Sequence, residues 1–201
     1  NWSDWNITYD IFIRTSSKHH ESIVSEFYGR VKKSNDIYMG VQKGWYCVGC
    51  EEFKDNPENS SNYKCPIHQK NLEWRNEENL FFRLSKYQSQ IEGLINKPTF
   101  IQPSERRNEI INFVSKGLKD FSISRTNVSW GISVPGLEKH TFYVWFDALL
   151  GYVSALSLHD KEHSLKKSIN GGWPADIHLI GKDILRFHAV YWPAMLISAG
   201  I

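Results

Sequence analysis

The sequence is poor in cysteine, in excess charge and in long apolar runs. Its 201 residues contain only three cysteines, an odd number that does not suit a disulfide framework. The net charge is +2, so charge alone neither requires nor excludes a nucleic acid partner. No apolar run approaches the ~20 residues of a membrane-spanning helix, and the first residues have neither the cationic start nor the apolar segment of a signal peptide. These absences predict an intracellular protein without a membrane partner.

The remaining composition is that of a folded protein with a substantial core. Hydrophobic residues make up 41% of the chain and charged residues 23%. A chain of this length buries roughly 70% of its unfolded surface, so it needs no disulfides. The sequence does not begin with Met, and we expect it to be an excerpt from a longer chain.

Hydrophobic periodicity predicts the elements of the first two thirds. A helix with one buried face covers residues 18–33. Residues 37–53 are rich in aromatic and β-prone side chains, which favours strands. An apolar stripe predicts a second helix over 84–94, and a third begins at its predicted N-cap, Ser104, and ends near Gly117.

The last third has a different pattern. Two short apolar runs, residues 142–146 and 177–180, predict buried strands, and predicted helices follow them at 148–157 and 183–198. Strand followed by helix, twice over, predicts an α/β fold with a parallel sheet. Ligands of such sheets bind at the carboxyl ends of the strands, so the residues after each run are the first candidates for a binding site.

One short motif is specific for a metal. Cys47 and Cys50 are separated by two residues, and Cys65 and His68 repeat that spacing after a polar loop. Zinc prefers four thiolate or imidazole ligands in a tetrahedron, and two such turns supply four. The metal would stabilise the loop by on the order of 10 kcal/mol. Four protein ligands leave no open position for a substrate, so we predict a structural zinc site; free thiols beside an incidental histidine are the alternative.

Polar and aromatic side chains follow both predicted strands. Gly181 and Asp183 open the last helix, where a glycine lets a ligand approach and a carboxylate acts either as a cap or as an acceptor for a ribose hydroxyl. Two aromatic-rich sets complete the group: Trp145 and Tyr152 after the first strand, and Ile184, Phe187, His188 and Trp192 after the second. If these sets face each other they line an apolar pocket with a few polar tips; packing into the core without a ligand is the alternative.

Longer segments resemble one enzyme family over nearly the whole chain. These segments are Gly44–Cys47, Cys65–His68, Phe81–Tyr87, Phe100–Pro103, Ser122–Thr126, Trp130–Pro135, Tyr143–Leu149 and His178–Leu196. In this order they are similar to methionyl-tRNA synthetases, and the chain most resembles the bacterial and organellar form with a single zinc knuckle. Leu149 stands where some relatives have proline.

The resemblance implies a class I aminoacyl-tRNA synthetase, an ATP-binding ligase of protein biosynthesis. Its Rossmann-type catalytic domain is split by an inserted connective domain. The catalytic fold would hold residues 1–36 and 125–201, and the insertion residues 37–124, with the zinc knuckle at about 44–75. The implied reaction joins methionine to ATP, giving methionyl-adenylate and pyrophosphate, and then transfers methionine to tRNA(Met). Magnesium would accompany ATP.

The resemblance also implies roles for individual residues. The methionine pocket maps onto Trp145, Tyr152, Ile184, Phe187, His188 and Trp192. Tyr152 and His188 would meet the thioether of methionine. Gly181 and Asp183 would hold the ribose of adenosine, and Arg125 would pair with a carboxylate outside this sequence.

Two signatures of the family, the His-Ile-Gly-His-like and Lys-Met-Ser-Lys-Ser-like motifs, are absent from the sequence. We therefore predict a segment of the enzyme that shows no methionine-dependent ATP–pyrophosphate exchange by itself, in the cytoplasm or else in a mitochondrion or plastid. Two other functions stay open. One is a thiol-redox protein that uses the first two cysteines. The other is a zinc-stabilised module that binds tRNA without catalysis, with candidate contacts at Arg106, Arg107, Lys116 and Lys119.

Overall fold

The structure is a computed structural model that describes residues 2–50, 52–54, 64–126, 128, 130–160 and 163–201. Its helices are α1 (Lys18–Lys33), α2 (Gln88–Ile95), α3 (Ser104–Val114), α4 (Val144–Ala148), α5 (Gly151–Ser154), α6 (Leu165–Asn170) and α7 (Trp192–Ser198). Its strands are β1 (Ile37–Cys47), β2 (Glu52–Lys54), β3 (Glu73–Phe82), β4 (Phe121–Ser122), β5 (Ser124–Arg125), β6 (Ser133–Val134) and β7 (Leu137–Phe142). Short 3₁₀ turns occupy Ser3–Trp5, Leu84–Tyr87, Ala155–Ser157 and Lys182–Ile184, and a π-helical turn occupies Phe187–Tyr191. Within these described residues, no helix has the length and apolarity needed to cross a bilayer.

The first long helix lies where periodicity predicts it. The Ser17 side chain caps α1 by accepting a hydrogen bond from the backbone N–H of His20 at 3.2 Å. Ile23, Phe27 and Val31 are fully buried on one face. Because they recur at helical spacing, α1 buries a single stripe against the core.

A long antiparallel hairpin forms the first sheet and confirms the strand character of the segment after α1. β1 and β3 pair from Ile37 opposite Phe82 to Tyr46 opposite Glu73. β2 and β4 pair at the two edges, in the order β2-β1-β3-β4. The four predicted metal ligands lie at the far end of this hairpin, and the loop residues 55–63 lie outside the described residues.

The two helices predicted after the hairpin are present, with one correction at a helix start. Ser104 is not an N-cap but the first helical residue of α3, and Pro103 occupies the cap position in an extended conformation. The Ser104 hydroxyl instead donates to the Glu105 carboxylate at 3.4 Å. Gly117 has a φ of +85°, a backbone conformation that glycine adopts without strain, and it follows the end of α3 as predicted.

The second sheet corrects the first strand predicted in the last third. β7 ends at Phe142 and α4 begins at Val144, so the predicted strand over 142–146 is wrong. The β-prone residues of this run enter a helix because Phe146 is fully buried there, with its ring centroid 5.9 Å from that of Phe27 and 5.0 Å from that of Phe142. Tertiary packing overrides the local strand preference.

The second predicted strand, residues 177–180, pairs with no strand of the described chain. A strand needs a neighbouring backbone for its N–H and C=O groups. The side chains do alternate as a strand predicts, because Ile177 and Leu179 are 81% and 97% exposed while His178 is half-buried. The strand pairs in the described residues are antiparallel, so the predicted parallel sheet is not formed by this part of the chain.

One hydrophobic core joins the three predicted segments of the chain. Phe27, Phe82 and Phe146 belong to residues 1–36, 37–124 and 125–201 respectively, and all three are fully buried in the same cluster. The split of a catalytic fold by an insertion stays a prediction.

A buried carboxylate forms hydrogen bonds that connect three elements of this core. Asp36, which follows α1, is completely buried. It accepts hydrogen bonds from Lys86 Nζ at 2.6 Å, from Ser198 Oγ at 2.7 Å and from the Tyr87 hydroxyl. Burial alone would raise the pKa of Asp36, but these three donors outweigh it and hold the pKa below its usual value. The ionised side chain therefore ties α1 to the turn before α2 and to α7.

Candidate active site and metal centre

The four predicted metal ligands converge at the end of the β1–β3 hairpin. The ligand atoms of Cys47, Cys50, Cys65 and His68 all lie within 4.8 Å of one another. His68 Nδ1 is 3.2 Å from Cys50 Sγ, 3.8 Å from Cys47 Sγ and 3.9 Å from Cys65 Sγ. The Cys50 and Cys65 sulfurs are 3.6 Å apart.

These distances fit a tetrahedral zinc ion. Bonds of ~2.3 Å to sulfur and ~2.0–2.1 Å to nitrogen give tetrahedron edges of about 3.5–3.8 Å, and the observed spacings of 3.2, 3.6, 3.8 and 3.9 Å bracket this range. Cys47 and Cys65 are buried beside Leu72, so the site is closed on its inner side. Three thiols and an imidazole are the donor set that zinc prefers, so the residues present suit the ion.

The surroundings of two thiols in this cluster shift their pKa values in opposite directions. The backbone N–H of His68 is the main cause that lowers the pKa of Cys65 to about 6, against the opposing effect of burial. Burial, together with the neighbouring thiols of Cys65 and Cys47, raises the pKa of Cys50 to about 11. A divalent cation supplies the positive charge that allows neighbouring thiolates to coexist. The chemistry of the cluster therefore favours a bound metal over free thiols.

The aromatic residues predicted after the two runs also come together. Trp145 of α4 stacks on Phe187 with ring centroids 4.1 Å apart and planes within 7°. The Tyr152 hydroxyl lies 2.7 Å from His188 Nε2, and the Trp145 ring centroid is 6.3 Å from that of His188. Ile184 lies one turn before His188. The structure thus brings Trp145, Tyr152, Ile184, Phe187 and His188 into one cluster.

Hydrogen bonding fixes the tautomer of His188. Its Nδ1 lies 2.8 Å from the backbone carbonyl of Ile184, which can only accept, so Nδ1 carries the proton. Nε2 is then the acceptor for the Tyr152 hydroxyl. Burial is the main cause that lowers the pKa of His188, and burial also raises the pKa of Tyr152. Both rings are therefore neutral at pH 7 and present a polar but uncharged face.

Two members of this cluster were missed by sequence reasoning. The His178 ring centroid is 4.5 Å from that of Tyr152 and 6.3 Å from that of His188. Trp173 packs 6.0 Å from His178. Burial, and secondarily the neighbouring His188, lower the pKa of His178. The alternation of residues 177–180 was the available signal, because it turns His178 to the side opposite Ile177 and Leu179.

Trp192 lies deeper than the other predicted pocket residues. It is 2% exposed, with its ring centroid 6.1 Å from that of Phe27 and 5.7 Å from that of Trp173. Its indole N–H has no hydrogen-bond partner within the described part of the chain. Trp192 therefore forms the floor between the cluster and the core.

The residues predicted to hold the ribose lie just before Ile184 of the cluster in the chain. Both residues are exposed. Asp183 lies within the 3₁₀ turn Lys182–Ile184, and Gly181 directly precedes that turn. The cap position of this turn is Gly181 and no side chain caps it, so Asp183 is not an N-cap here. A Cβ on Gly181 would meet no atom within 4 Å, which leaves its backbone open to approach.

Arg125 is held rigidly on β5. Its Nη1 donates to Ser122 Oγ and to the Ser124 carbonyl, both at 2.8 Å, and its guanidinium carbon lies 4.2 Å from the Tyr143 ring centroid. Its Nε has no hydrogen-bond partner among the residues described. The guanidinium therefore keeps a buried donor for a further acceptor.

A cavity of about 680 Å³ lies apart from the aromatic cluster. Arg125, Val144 and Asp147 line it, together with the start of α1 and the loop around Trp130. Burial raises the pKa of Asp147 to about 7. Trp145 is absent from its lining, so Val144 and Asp147 of α4 face this cavity while Trp145 belongs to the aromatic cluster.

Comparison with known proteins finds relatives that match this chain over its whole length. The chain matches the family model "tRNA synthetases class I (M)" over residues 1–58 and 54–201. It is 59% identical over 202 residues to the methionine–tRNA ligase of Nostoc sp., covering 100% of this chain and 38% of that protein. The chain belongs to the methionyl-tRNA synthetase family. The chloroplastic/mitochondrial methionine–tRNA ligase of Arabidopsis thaliana is 56% identical over 100% of this chain and 33% of that protein.

Solved structures agree with this membership. Mycobacterium tuberculosis methionyl-tRNA synthetase in complex with methionyl-adenylate superimposes with a TM-score of 0.87 and 42% identity, covering 100% of this chain and 40% of that chain. The predicted family and its Rossmann-type α/β class are confirmed. The chain spans between a third and two fifths of the length of these relatives. The roles assigned to individual site residues stay predictions.

Proposed function

We propose that this chain provides the methionine-binding part of a methionine–tRNA ligase. In the reaction a methionine carboxylate oxygen attacks the α-phosphorus of ATP. The bond between that phosphorus and the pyrophosphate oxygen breaks, which gives methionyl-adenylate and pyrophosphate. A hydroxyl of the 3′-terminal ribose of tRNA(Met) then attacks the carbonyl carbon of the adenylate, the bond from that carbon to the phosphate oxygen breaks, and AMP leaves.

The aromatic cluster is the observation that carries this proposal. The stacked rings of Trp145 and Phe187 lie beside the neutral Tyr152–His188 pair, which gives a mostly apolar cluster with two uncharged polar tips. A thioether is flexible and polarizable, and it packs well against ring edges and faces. A neutral phenol and imidazole contact sulfur without the desolvation cost that a charged group would impose.

Size discrimination in such a pocket is limited. One methylene more or less is worth about 1–3 kcal/mol, so the fit of the rings decides how well smaller apolar amino acids are rejected. Trp145 and His188 bound the space around Tyr152, and Ile184 and Trp192 complete the predicted wall. We assign His178 and Trp173 to the same wall because both contact this set.

The ATP side of the reaction needs positioning more than acid–base chemistry. Gly181 and Asp183 are exposed beside the cluster, where an open backbone and a carboxylate suit a ribose hydroxyl. Arg125 retains a buried donor that suits a carboxylate outside this chain. Magnesium, when bound with ATP, would neutralise phosphate charge.

The centre of three cysteines and one histidine serves structure in this proposal. Zinc with four protein ligands would fold the end of the hairpin and take no part in the reaction. The protein acts in bacterial cytoplasm or in an organelle, since the relatives include bacterial and chloroplastic/mitochondrial enzymes.

The test is methionine-dependent ATP–pyrophosphate exchange by the full-length protein. Tyr152→Phe removes the hydroxyl from a ring that is 39% exposed and leaves Nε2 of the buried His188 without its donor, which costs about 1 kcal/mol. We expect the KM for methionine to rise at least about fivefold, with a smaller change in kcat. Tyr9→Phe, at an exposed tyrosine whose ring contacts Phe12, is the matched control and leaves the KM unchanged.

Two results would count against the proposal. An unchanged KM for methionine in Tyr152→Phe would remove Tyr152 from the pocket. Absence of exchange in the full-length protein, with tRNA binding that weakens steeply with salt, would favour the non-catalytic binding module instead.

A further inference from the structure

The metal turn contains a glycine that is pressed against a ligand ring. A Cβ built on Gly49 would lie 2.8 Å from His68 Cγ, 2.9 Å from Cδ2 and 3.1 Å from Nδ1. Real Cβ contacts below 3.0 Å essentially never occur, and ordinary contact begins at 3.4 Å. The imidazole therefore occupies the space that a side chain at position 49 would need.

The ring cannot easily move away. To relieve the contact, the ring must move away by about 0.6 Å. This is the difference between an ordinary contact of 3.4 Å and the 2.8 Å from the built Cβ to His68 Cγ. His68 Nδ1 is the atom that faces the three sulfurs, at 3.2–3.9 Å. Metal–ligand distances tolerate only about ±0.2 Å, so such a retreat takes Nδ1 off the fourth corner of the tetrahedron.

The reason for glycine at this position is space and not backbone conformation. Gly49 is not among the glycines with a left-handed φ, so an alanine there adopts the same backbone without strain. Gly93, by contrast, has no atom within 4 Å of a built Cβ. Gly93→Ala is therefore a glycine-to-alanine change in which the new Cβ meets no neighbouring atom.

We propose that Gly49 is a positioning residue of the metal centre, required because the fourth ligand is an imidazole. A thiolate at position 68 has no ring to collide with a Cβ. Gly49 and His68 therefore act as a pair, and the need for glycine disappears when the ring is removed. This inference rests on the proposed zinc centre.

The experiment is a cycle of variants in the full-length protein: Gly49→Ala, His68→Cys, and the two together. Zinc content is measured by elemental analysis and zinc affinity by competition with a chromophoric chelator. Cobalt substitution gives an independent readout, because thiolate-to-cobalt charge transfer and the ligand-field bands report the donor set. Gly93→Ala is the matched control.

We expect Gly49→Ala to lower zinc affinity by about 10–100-fold, the size of effect seen when the support of a ligand is disturbed. The cobalt spectrum should then lose its three-sulfur, one-nitrogen character. In the His68→Cys background the same Gly49→Ala change should alter affinity less than about threefold, well below the loss expected from a disturbed ligand. Gly93→Ala should behave as the parent.

Several outcomes are distinguishable. A parent protein that binds no zinc overturns the metal centre itself. Zinc binding by the parent with unchanged affinity and cobalt spectrum in Gly49→Ala overturns the inference alone. An equal penalty, or equal misfolding, when Gly49→Ala is made in the parent and in the His68→Cys variant also overturns it, because the effect then does not depend on the ring. If His68→Cys itself fails to fold, His68→Ala provides a second ring-free background with the same expected result.

Discussion

His20 should make the protein lose stability as the pH falls towards 5. Its ring is completely buried near the start of α1, and Ser154 Oγ lies 2.8 Å from Nδ1. Burial is the largest cause that lowers the pKa of His20 to about 4; the backbone of Asp147 opposes the shift and His19 adds to it. The unfolded chain, with an ordinary histidine pKa near 6.5, binds this proton first.

The sign and size of the effect follow from that difference. Between pH 6.5 and 4 the unfolded state holds a proton that the native state lacks, so stability rises with pH in this window and is complete above it. From pH 7.5 to pH 5 the contribution of His20 falls by about 2 kcal/mol. Other groups titrate in the same range, so a variant is needed to isolate this one.

The assay is urea unfolding at pH 7.5 and pH 5, followed by circular dichroism. His20→Asn keeps a polar side chain beside Ser154 and removes the titrating ring. The loss of unfolding free energy between the two pH values should be about 2 kcal/mol smaller in this variant than in the parent. An equal loss in both proteins would show that His20 is protonated in the native state, and the reasoning from burial would be refuted.

Three further predictions concern other buried groups. Asp147→Asn should act in the opposite sense to His20→Asn. Burial raises the pKa of Asp147 to about 7, so ionisation of this carboxyl lowers the stability of the parent as the pH rises. In the same unfolding assay, the variant should therefore gain stability relative to the parent at pH 7.5 but not at pH 5. Asp36→Ala should lower the unfolding free energy by about 3–5 kcal/mol because it leaves buried donors without their acceptor. Replacement of its half-exposed partner, Lys86→Met, should cost less than Asp36→Ala, because Tyr87 and Ser198 still donate to the carboxylate, and similar losses in both variants would contradict the assignment. The three cysteines should resist alkylation until a chelator removes the metal; rapid alkylation without a chelator would argue for free thiols.

Local patterns predicted the features that depend on a few neighbouring residues. The buried stripe of Ile23, Phe27 and Val31 places α1 correctly, because a helix satisfies its own backbone. The spacing of Cys47, Cys50, Cys65 and His68 identifies the metal cluster, because each half of the site is one short turn.

Features that depend on distant partners were not predictable in the same way. The run 142–146 became a helix because Phe146 packs on Phe27, more than a hundred residues away in the sequence. The run 177–180 has the alternation of a strand but no partner strand in the described chain. The alternation of residues 177–180 indicates which way His178 turns, but its contacts with Tyr152 and Trp173 depend on residues outside that run.

A crystal structure of the full-length protein with methionine bound is the most direct test of the proposed site. The proposal predicts the thioether side chain among Trp145, Tyr152 and His188, with its sulfur next to the phenol and the imidazole. Methionine bound instead in the 680 Å³ cavity beside Arg125 and Asp147, with the aromatic cluster closed on itself, would contradict it.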